Sequence, residues 1–170
     1  MRQRTRLAIG MGLVTATALA ALTGAGRVGV EPAAAASTVP NANSHWTSCN
    51  DNAVSSAPKI VWTRIKQATT SHKDIPQTFW TNSGYRGDIV KIVCYESSYY
   101  WHASNAGQYG WYQMSQSLIS SEGVSWSQYW KGSSTHAAGW YQCVAGERYI
   151  KNRYGTPGAA WQHEKNYGWY

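Results

Sequence analysis

Residues 135–168 read THAAGWYQCVAGERYIKNRYGTPGAAWQHEKNYG and predict two consecutive helices. The first begins at Thr135 or at Ser134 before it, because Ser and Thr cap helix N-termini, and a glycine at position 155 ends it near Tyr154. The second begins at a Thr-Pro pair and ends at Gly168, which is the asymmetry that helices show between their two ends. This part of the chain therefore predicts a helical fold.

The residues around Asp88 predict a further helix upstream. Asp88 is a natural N-cap, and the apolar residues at positions 89, 92 and 93 have helical spacing, so this helix should run to about Ser97. Because few stretches alternate as strands do, we predict a single, mainly helical domain. The remaining predictions are helices over 58–67 and 111–120, loops over 74–85 and 98–110, an irregular leader over 37–57 and a domain over 58–170.

The N-terminal segment has the layout of a secretory signal peptide. Arg2, Arg4 and Arg6 precede an apolar run over 7–22, and small residues follow as far as Ala36. This order predicts that residues 1–36 are a signal peptide and that the secreted chain begins at Ser37. The alternative is an uncleaved membrane anchor, because the apolar run is nearly long enough to span a bilayer.

The composition of the mature chain bounds its function. Without residues 1–36 the chain has 134 residues, 11 of them basic and 7 acidic, which is the size of one domain with a net charge of about +4. That excess suits an anionic polymer outside the cell, such as wall glycans and teichoic acids rather than nucleic acid, although it also simply keeps a protein soluble. The whole chain has 10 Trp and 12 Tyr but one Phe, and Trp and Tyr suit half-wet surfaces such as a binding cleft.

Three cysteines, Cys49, Cys94 and Cys143, are available for oxidation after export. We expect a disulfide between Cys94 and Cys143, because both fall on predicted helices whereas Cys49 lies in the irregular leader. The cysteine spacing matches no zinc motif, and the five histidines have neither metal-site spacing nor a nucleophile motif nearby. The sequence therefore predicts neither a metal nor a cofactor.

Glu96 is the candidate for acid chemistry. It is the only acidic residue between Asp88 and Glu122, its neighbours include three tyrosines and a tryptophan, and no Lys or Arg lies between Ile92 and Trp130. Such surroundings disfavour the charged form of a carboxyl and suit an acid that protonates a leaving oxygen. The alternative is a solvated glutamate at the end of a helix.

Two blocks of sequence resemble the lysozyme-like lytic transglycosylase family. Residues 95–99 read YESSY and residues 103–113 read ASNAGQYGWYQ, which is similar to the family's Glu-Ser pair, short loop and Gly-x-x-Gln. The second block covers residues 142–170 and ends in Gly-Trp-Tyr, as in the secreted actinobacterial and aggregation-promoting-factor branch. The resemblance spans about residues 87–170 and implies a mainly α, α+β lysozyme-like fold with a substrate cleft.

The resemblance also implies roles for particular residues. Glu96 is implied to be the catalytic acid and base, Gln113 to contact the sugar next to the scissile bond, and Tyr149 to help position the substrate. Trp161 and Gln162 stand where soluble members have Tyr-Asn. The implied substrate-binding residues are Gln113, Tyr149, Trp161, Gln162 and Tyr109. The loop after the acid departs from the family at Ser98, Trp101 and His102, so its shape should differ.

The implied function is cleavage of the MurNAc–GlcNAc β-1,4 bond of peptidoglycan by a secreted, cell-wall-associated monomer whose partner is the glycan strand. One acid suffices for a lytic transglycosylase, which closes a 1,6-anhydro ring on the muramic acid residue. A hydrolytic lysozyme is the first alternative, and it would need a second carboxylate, for which Asp88, Glu122 and Glu147 are candidates. The second alternative is a non-catalytic wall-binding or aggregation-promoting protein with the same fold.

Overall fold

The structure, a computed structural model, describes residue 49 and residues 51–130 and 135–170. The described chain is mainly helical, as predicted, and also contains one small antiparallel sheet. The predicted signal peptide over 1–36 lies outside the described residues. None of the described helices is both long and apolar enough to cross a membrane. The helices are α1 (Asp51–Ser56), α2 (Lys59–Ser71), α3 (Thr78–Thr81), α4 (Ser83–Ser97), α5 (Gln116–Ser121), α6 (Trp126–Tyr129), α7 (Thr135–Tyr154) and α8 (Pro157–Tyr167). The strands are β1 (Ser104–Asn105), β2 (Gln108–Tyr109) and β3 (Met114–Ser115).

The two helices at the C-terminal end have the predicted bounds. Gly155, which follows α7, has φ of +77°, and Gly168, which follows α8, has φ of +73°. The side chain of Thr156 accepts a hydrogen bond from the amide of Ala159 at 3.2 Å, which is the expected N-cap of α8. These local signals are reliable because each one satisfies backbone groups that a helix end leaves without partners.

The helix that carries Glu96 begins earlier than predicted. Its N-cap is Asn82, whose side chain accepts hydrogen bonds from the amides of residues 84 and 85 at 2.9 and 3.2 Å. Asp88, the predicted cap, lies inside α4 instead and forms an ion pair with Lys91 at 3.4 Å. We predicted that these first residues of the helix belong to a loop because they include glycines at positions 84 and 87, and glycine is a poor helix former. The predicted C-terminal end at Ser97 is confirmed.

The predicted loop over 98–110 contains a tight hairpin. Ser104 pairs with Tyr109 and Asn105 with Gln108, and β2 continues the sheet by pairing with β3. The two turn residues between β1 and β2 both have positive φ, +48° at Ala106 and +84° at residue 107, which is the backbone that two-residue hairpins favour. Strands of two residues are too short to leave an alternating pattern in the sequence.

The predicted helix over 111–120 is wrong for its first five residues, and α7 provides the reason. The side chains of Trp111 and Tyr112 are both buried against two glycines of α7. A Cβ atom at Gly139 would lie 2.8 Å from the Trp111 ring, and one at Gly146 would overlap the Tyr112 ring. The residues at 111 and 112 therefore pack as a wedge against α7, and the chain becomes helical only at Gln116.

Gln142, on the same face of α7, ties the neighbouring loops together. It is fully buried, and its Oε1 accepts a hydrogen bond from the amide of Trp111 at 2.9 Å. Its Nε2 donates to the carbonyl oxygens of Trp101 and Tyr129 at 2.9 and 3.2 Å. One buried amide thus fixes the loop after α4 and the end of α6 relative to α7.

The predicted disulfide between Cys94 and Cys143 is wrong, because Cys94 bonds to Cys49. The predicted irregular leader contains α1, which packs against α4 and brings Cys49 beside Cys94 with a Cα–Cα distance of 5.5 Å. The hydroxyl of Tyr99 donates to the carbonyl oxygen of Ala53 at 2.8 Å and holds α1 at this place. Cys143 is a free thiol, buried in the core on α7.

We expect Gly146→Ala to destabilise the protein by about 1–3 kcal/mol or more, because the added methyl group overlaps the buried Tyr112 ring. Urea unfolding followed by tryptophan fluorescence measures the change. Gly158→Ala is the matched control, since its Cβ would have no neighbour closer than 3.5 Å and alanine favours a helix by about 0.5–1 kcal/mol. Equal midpoints for Gly146→Ala and the wild type would contradict this account of the α7 packing.

Candidate active site

Glu96 lies in the last turn of α4, and its side chain is half-buried. The C-terminal end of a helix carries a partial negative charge, which disfavours a carboxylate there by about 0.3–1 kcal/mol. Ser98, which follows the helix, has φ of +50° and turns the chain away from the helix axis. The local backbone therefore presents the carboxyl at the helix end and favours its neutral form.

A second carboxyl group, that of Glu164, meets Glu96. Glu164 lies in the last turn of α8, which packs against α4, and its side chain is fully buried. The carboxyl of Glu164 lies within hydrogen-bonding reach of that of Glu96, and no donor on any other described residue reaches either oxygen of Glu164. A hydrogen bond between two carboxyls requires that one of them keep its proton.

Burial raises the pKa of both carboxyls, and the neighbouring carboxyl raises that of Glu96 further. Desolvation raises the pKa of Glu96 well above its usual range, and the charge of Glu164 and the hydrogen bond with it raise that pKa further. Desolvation raises the pKa of Glu164 to about 7, although its hydrogen bond from Glu96 acts in the opposite direction. The pair therefore keeps at least one proton at neutral pH.

Tyrosine rings enclose the pair. Tyr129 and Tyr170 are fully or almost fully buried; burial raises the pKa of both hydroxyls, and the charge of Glu96 raises it further. The hydroxyl of Tyr129 donates to the carbonyl oxygen of Tyr109 at 2.8 Å, and that of Tyr170 donates to the carbonyl oxygen of Tyr112 at 2.9 Å. These hydroxyls are committed to the backbone, so the rings surround the carboxyls without neutralising their charge.

Two of the predicted substrate-binding residues belong to the hairpin. Gln113 is half-buried, and its Nε2 donates to the carbonyl oxygens of Ala103 and Gly110 at 3.2 and 2.8 Å, so the amide nitrogen secures the base of the hairpin. The ring of Tyr109 packs edge-on against Trp126, with 4.7 Å between ring centroids. The carbonyl oxygen of Tyr109 accepts a hydrogen bond from Tyr129, whose hydroxyl is close enough to Glu96 to feel its charge.

The other three predicted residues lie on α7 and α8. Tyr149 is buried and packs against the Tyr170 ring at 5.7 Å, so Tyr170 links it to Glu96. Trp161 is buried with the amino group of Lys91 5.9 Å from its ring. Gln162 is exposed and donates to Asn166 at 3.1 Å, on the opposite side of α8 from the buried Glu164. The structure therefore places Tyr149 beside Tyr170 and leaves Gln162 on the surface.

The acidic residues proposed for a second catalytic carboxylate lie elsewhere. Asp88 pairs with Lys91 inside α4. Glu122 follows α5, where it accepts a hydrogen bond from Asn152 at 2.8 Å. Glu147 is fully buried on α7, and Thr69 of α2 donates to its Oε2 at 2.7 Å. None of these contacts involves Glu96.

Three of the described histidines contact aromatic rings, a backbone carbonyl or an arginine. His102 stacks on Trp101 with 3.4 Å between ring centroids, and His163 Nδ1 lies 2.8 Å from the carbonyl oxygen of Trp169. The pKa of His72 is lowered by burial and by the charge of Arg148. Within the described residues no cluster of three or more His, Cys, Asp or Glu side chains is arranged to hold a metal ion.

Glu164 is the site residue that the sequence analysis did not predict. The helical spacing of α8 could have indicated it, because positions 157, 160, 161 and 164 lie on one face and are all buried. Pro157, Ala160 and Trp161 form an apolar stripe, and Glu164 continues it. An acidic residue on the buried stripe of a helix indicates a carboxyl that is kept neutral or paired.

No protein-family model matches this chain, and neither a curated protein nor a solved structure matches it. Any assignment of function therefore depends on the chemistry of the residues described above and on the resemblance of short motifs.

We expect Glu147→Gln to make the protein less sensitive to alkaline pH. Burial raises the pKa of Glu147 well above its usual range, whereas the unfolded chain ionises near 4.3. Between these two values the folded protein binds more protons than the unfolded chain, so its stability falls as pH rises, by up to about 1.4 kcal/mol per pH unit. Glutamine cannot ionise and still accepts from Thr69.

Urea unfolding of both proteins at pH 5 and pH 8 measures this difference. The variant should lose less stability than the wild type over that interval. Identical losses would mean that Glu147 ionises in place without cost.

Proposed function

We propose that the protein is a secreted peptidoglycan lytic transglycosylase in which Glu96 is the catalytic acid and base. The observation that carries the proposal is a half-buried carboxyl at a helix end whose pKa is raised well above its usual range. A glycosidic leaving oxygen needs a proton from an acid that remains neutral at the working pH. The resemblance of the Glu-Ser and Gly-x-x-Gln motifs to this family supports the same residue.

In the proposed first step, the Glu96 carboxyl gives its proton to the oxygen of the MurNAc–GlcNAc bond as the bond to the anomeric carbon breaks. Glu96 is then a carboxylate. In the second step it takes the proton of the C6 hydroxyl while that oxygen bonds to the anomeric carbon and closes a 1,6-anhydro ring. The proton count of Glu96 is restored, and no water is consumed.

The position of Glu164 favours this mechanism over hydrolysis. A hydrolytic glycosidase holds two carboxyls on either side of the scissile bond, about 5–9.5 Å apart. The carboxyl of Glu164 instead lies within hydrogen-bonding reach of that of Glu96 and is fully buried, so no sugar fits between them. The carboxyls of Asp88, Glu122 and Glu147 have partners of their own in other parts of the fold.

Secretion is part of the proposal. The disulfide between Cys49 and Cys94 is of the kind that persists in oxidising compartments. The N-terminal sequence has the order of a cleavable signal peptide. Both features agree with work on the cell wall outside the membrane.

We expect Glu96→Gln to lower the rate of peptidoglycan lysis by about 10²–10⁴-fold with the fold intact, because glutamine keeps the shape but has no proton to donate. Glu122→Gln is the matched control, since Glu122 bonds to Asn152 away from the pair, and it should keep the wild-type rate. Turbidity of a peptidoglycan suspension gives the rate, and circular dichroism reports on the fold.

Mass spectrometry of the soluble products tests the reaction type. Wild-type products should carry 1,6-anhydro-N-acetylmuramic acid and be lighter by one water than lysozyme products. Reducing ends alone would contradict the ring closure and support a hydrolase. Binding to peptidoglycan without soluble products from any wall type would instead support a non-catalytic wall protein.

A further inference from the structure

We propose that Glu164 is a positioning residue that, in its protonated form, donates a hydrogen bond to the carboxylate that Glu96 becomes during the reaction. This inference rests on the proposed function and adds a requirement to it. Glu164 is fully buried behind Glu96 and has no other hydrogen-bond donor among the described residues, so its only polar partner is the acid itself.

The number of protons on the pair decides whether Glu96 can act. When both carboxyls are protonated, transfer of the Glu96 proton leaves one negative charge, which the Glu164 hydroxyl stabilises by a charge-assisted hydrogen bond. When Glu164 is ionised, the same transfer would leave two adjacent carboxylates, one half-buried and the other fully buried. Repulsion between two adjacent carboxylates makes the loss of the second proton unfavourable. The singly protonated pair therefore keeps its remaining proton, and Glu96 cannot protonate the leaving oxygen.

The groups that face the pair offer no compensating charge. Among the described residues these groups are tyrosines: Tyr95 on α4, Tyr129 on α6, Tyr154 on α7 and Tyr170 after α8. The cation Arg153 contacts the outer side of this layer, where it donates to the Tyr149 hydroxyl and lies 5.5 Å from the rings of Tyr149 and Tyr154. Burial raises both pKa values, the charge of Glu164 raises that of Glu96 further, and no cation on a described residue lowers either.

The expected pH dependence follows from these two states. Burial raises the pKa of Glu164 to about 7, so activity should be full on the acidic side and fall as pH rises through that value. The reaction conserves protons within this scheme. Glu164 keeps its proton throughout, while Glu96 gives one to the leaving oxygen and recovers one from the C6 hydroxyl.

Two substitutions separate this role from a merely structural one. Glu164→Gln keeps an N–H donor for the Glu96 carboxylate but cannot ionise. We expect its kcat at pH 5–6 to stay within about fivefold of the wild type, with the alkaline limb moved upward from about pH 7. Glu164→Met fills the same space without a donor, so its kcat should fall by about tenfold or more at every pH.

The experiment is the pH profile of soluble product release from peptidoglycan by the full mature chain. Glu147→Gln is the matched control, because it removes another buried carboxyl remote from the pair and should leave the alkaline limb in place. An unchanged alkaline limb in Glu164→Gln, with wild-type turnover present, would overturn the role of Glu164 and leave the proposed function standing. A wild type that releases no products at any pH would overturn both.

Discussion

Two carboxyl groups can face each other away from water only while they hold at least one proton between them. Glu96 and Glu164 meet this condition at the ends of α4 and α8, where both helix termini already disfavour negative charge. Ordinary surface glutamates are charged at neutral pH, and a buried pair without a cation is destabilising unless it stays protonated. The pair therefore does not stabilise the fold, and the stability of the remaining structure must offset the cost of burying it.

The remainder of the structure keeps that pair enclosed. Tyr129 and Tyr170 supply apolar walls, and each hydroxyl is bonded to a backbone carbonyl, so neither competes for the carboxyls. Gln142 holds the Tyr129 backbone and the loop after α4 against α7. The disulfide at Cys94 fastens α4 to α1 two residues before the acid. The scaffold thus fixes the environment of the acid from three directions.

The sequence predicted the C-terminal ends of α4, α7 and α8 correctly, because local signals determine them. The caps at Thr156 and Gly168 predicted α8 because they satisfy backbone groups of that helix alone. The disulfide was predicted wrongly because it depends on the packing of α1 on α4. The helix over 111–120 was predicted wrongly at its start because Trp111 packs against glycines of α7 that lie more than 20 residues away. Glu164 was visible in the buried stripe of α8, but only the packing of α8 on α4 makes it a partner of Glu96.

The central claim is that Glu96 and Glu164 form a proton-holding pair. Carbon-13 NMR of the side-chain carboxyls in glutamate-labelled protein measures it directly, with Glu96→Gln and Glu164→Gln assigning the two signals among the five glutamates. The account predicts that both carboxyls remain protonated at pH 6, that the first ionises near pH 7, and that removing either one shifts the titration of the other. Ionisation of both by pH 6, near the ordinary value of about 4.3, would contradict it.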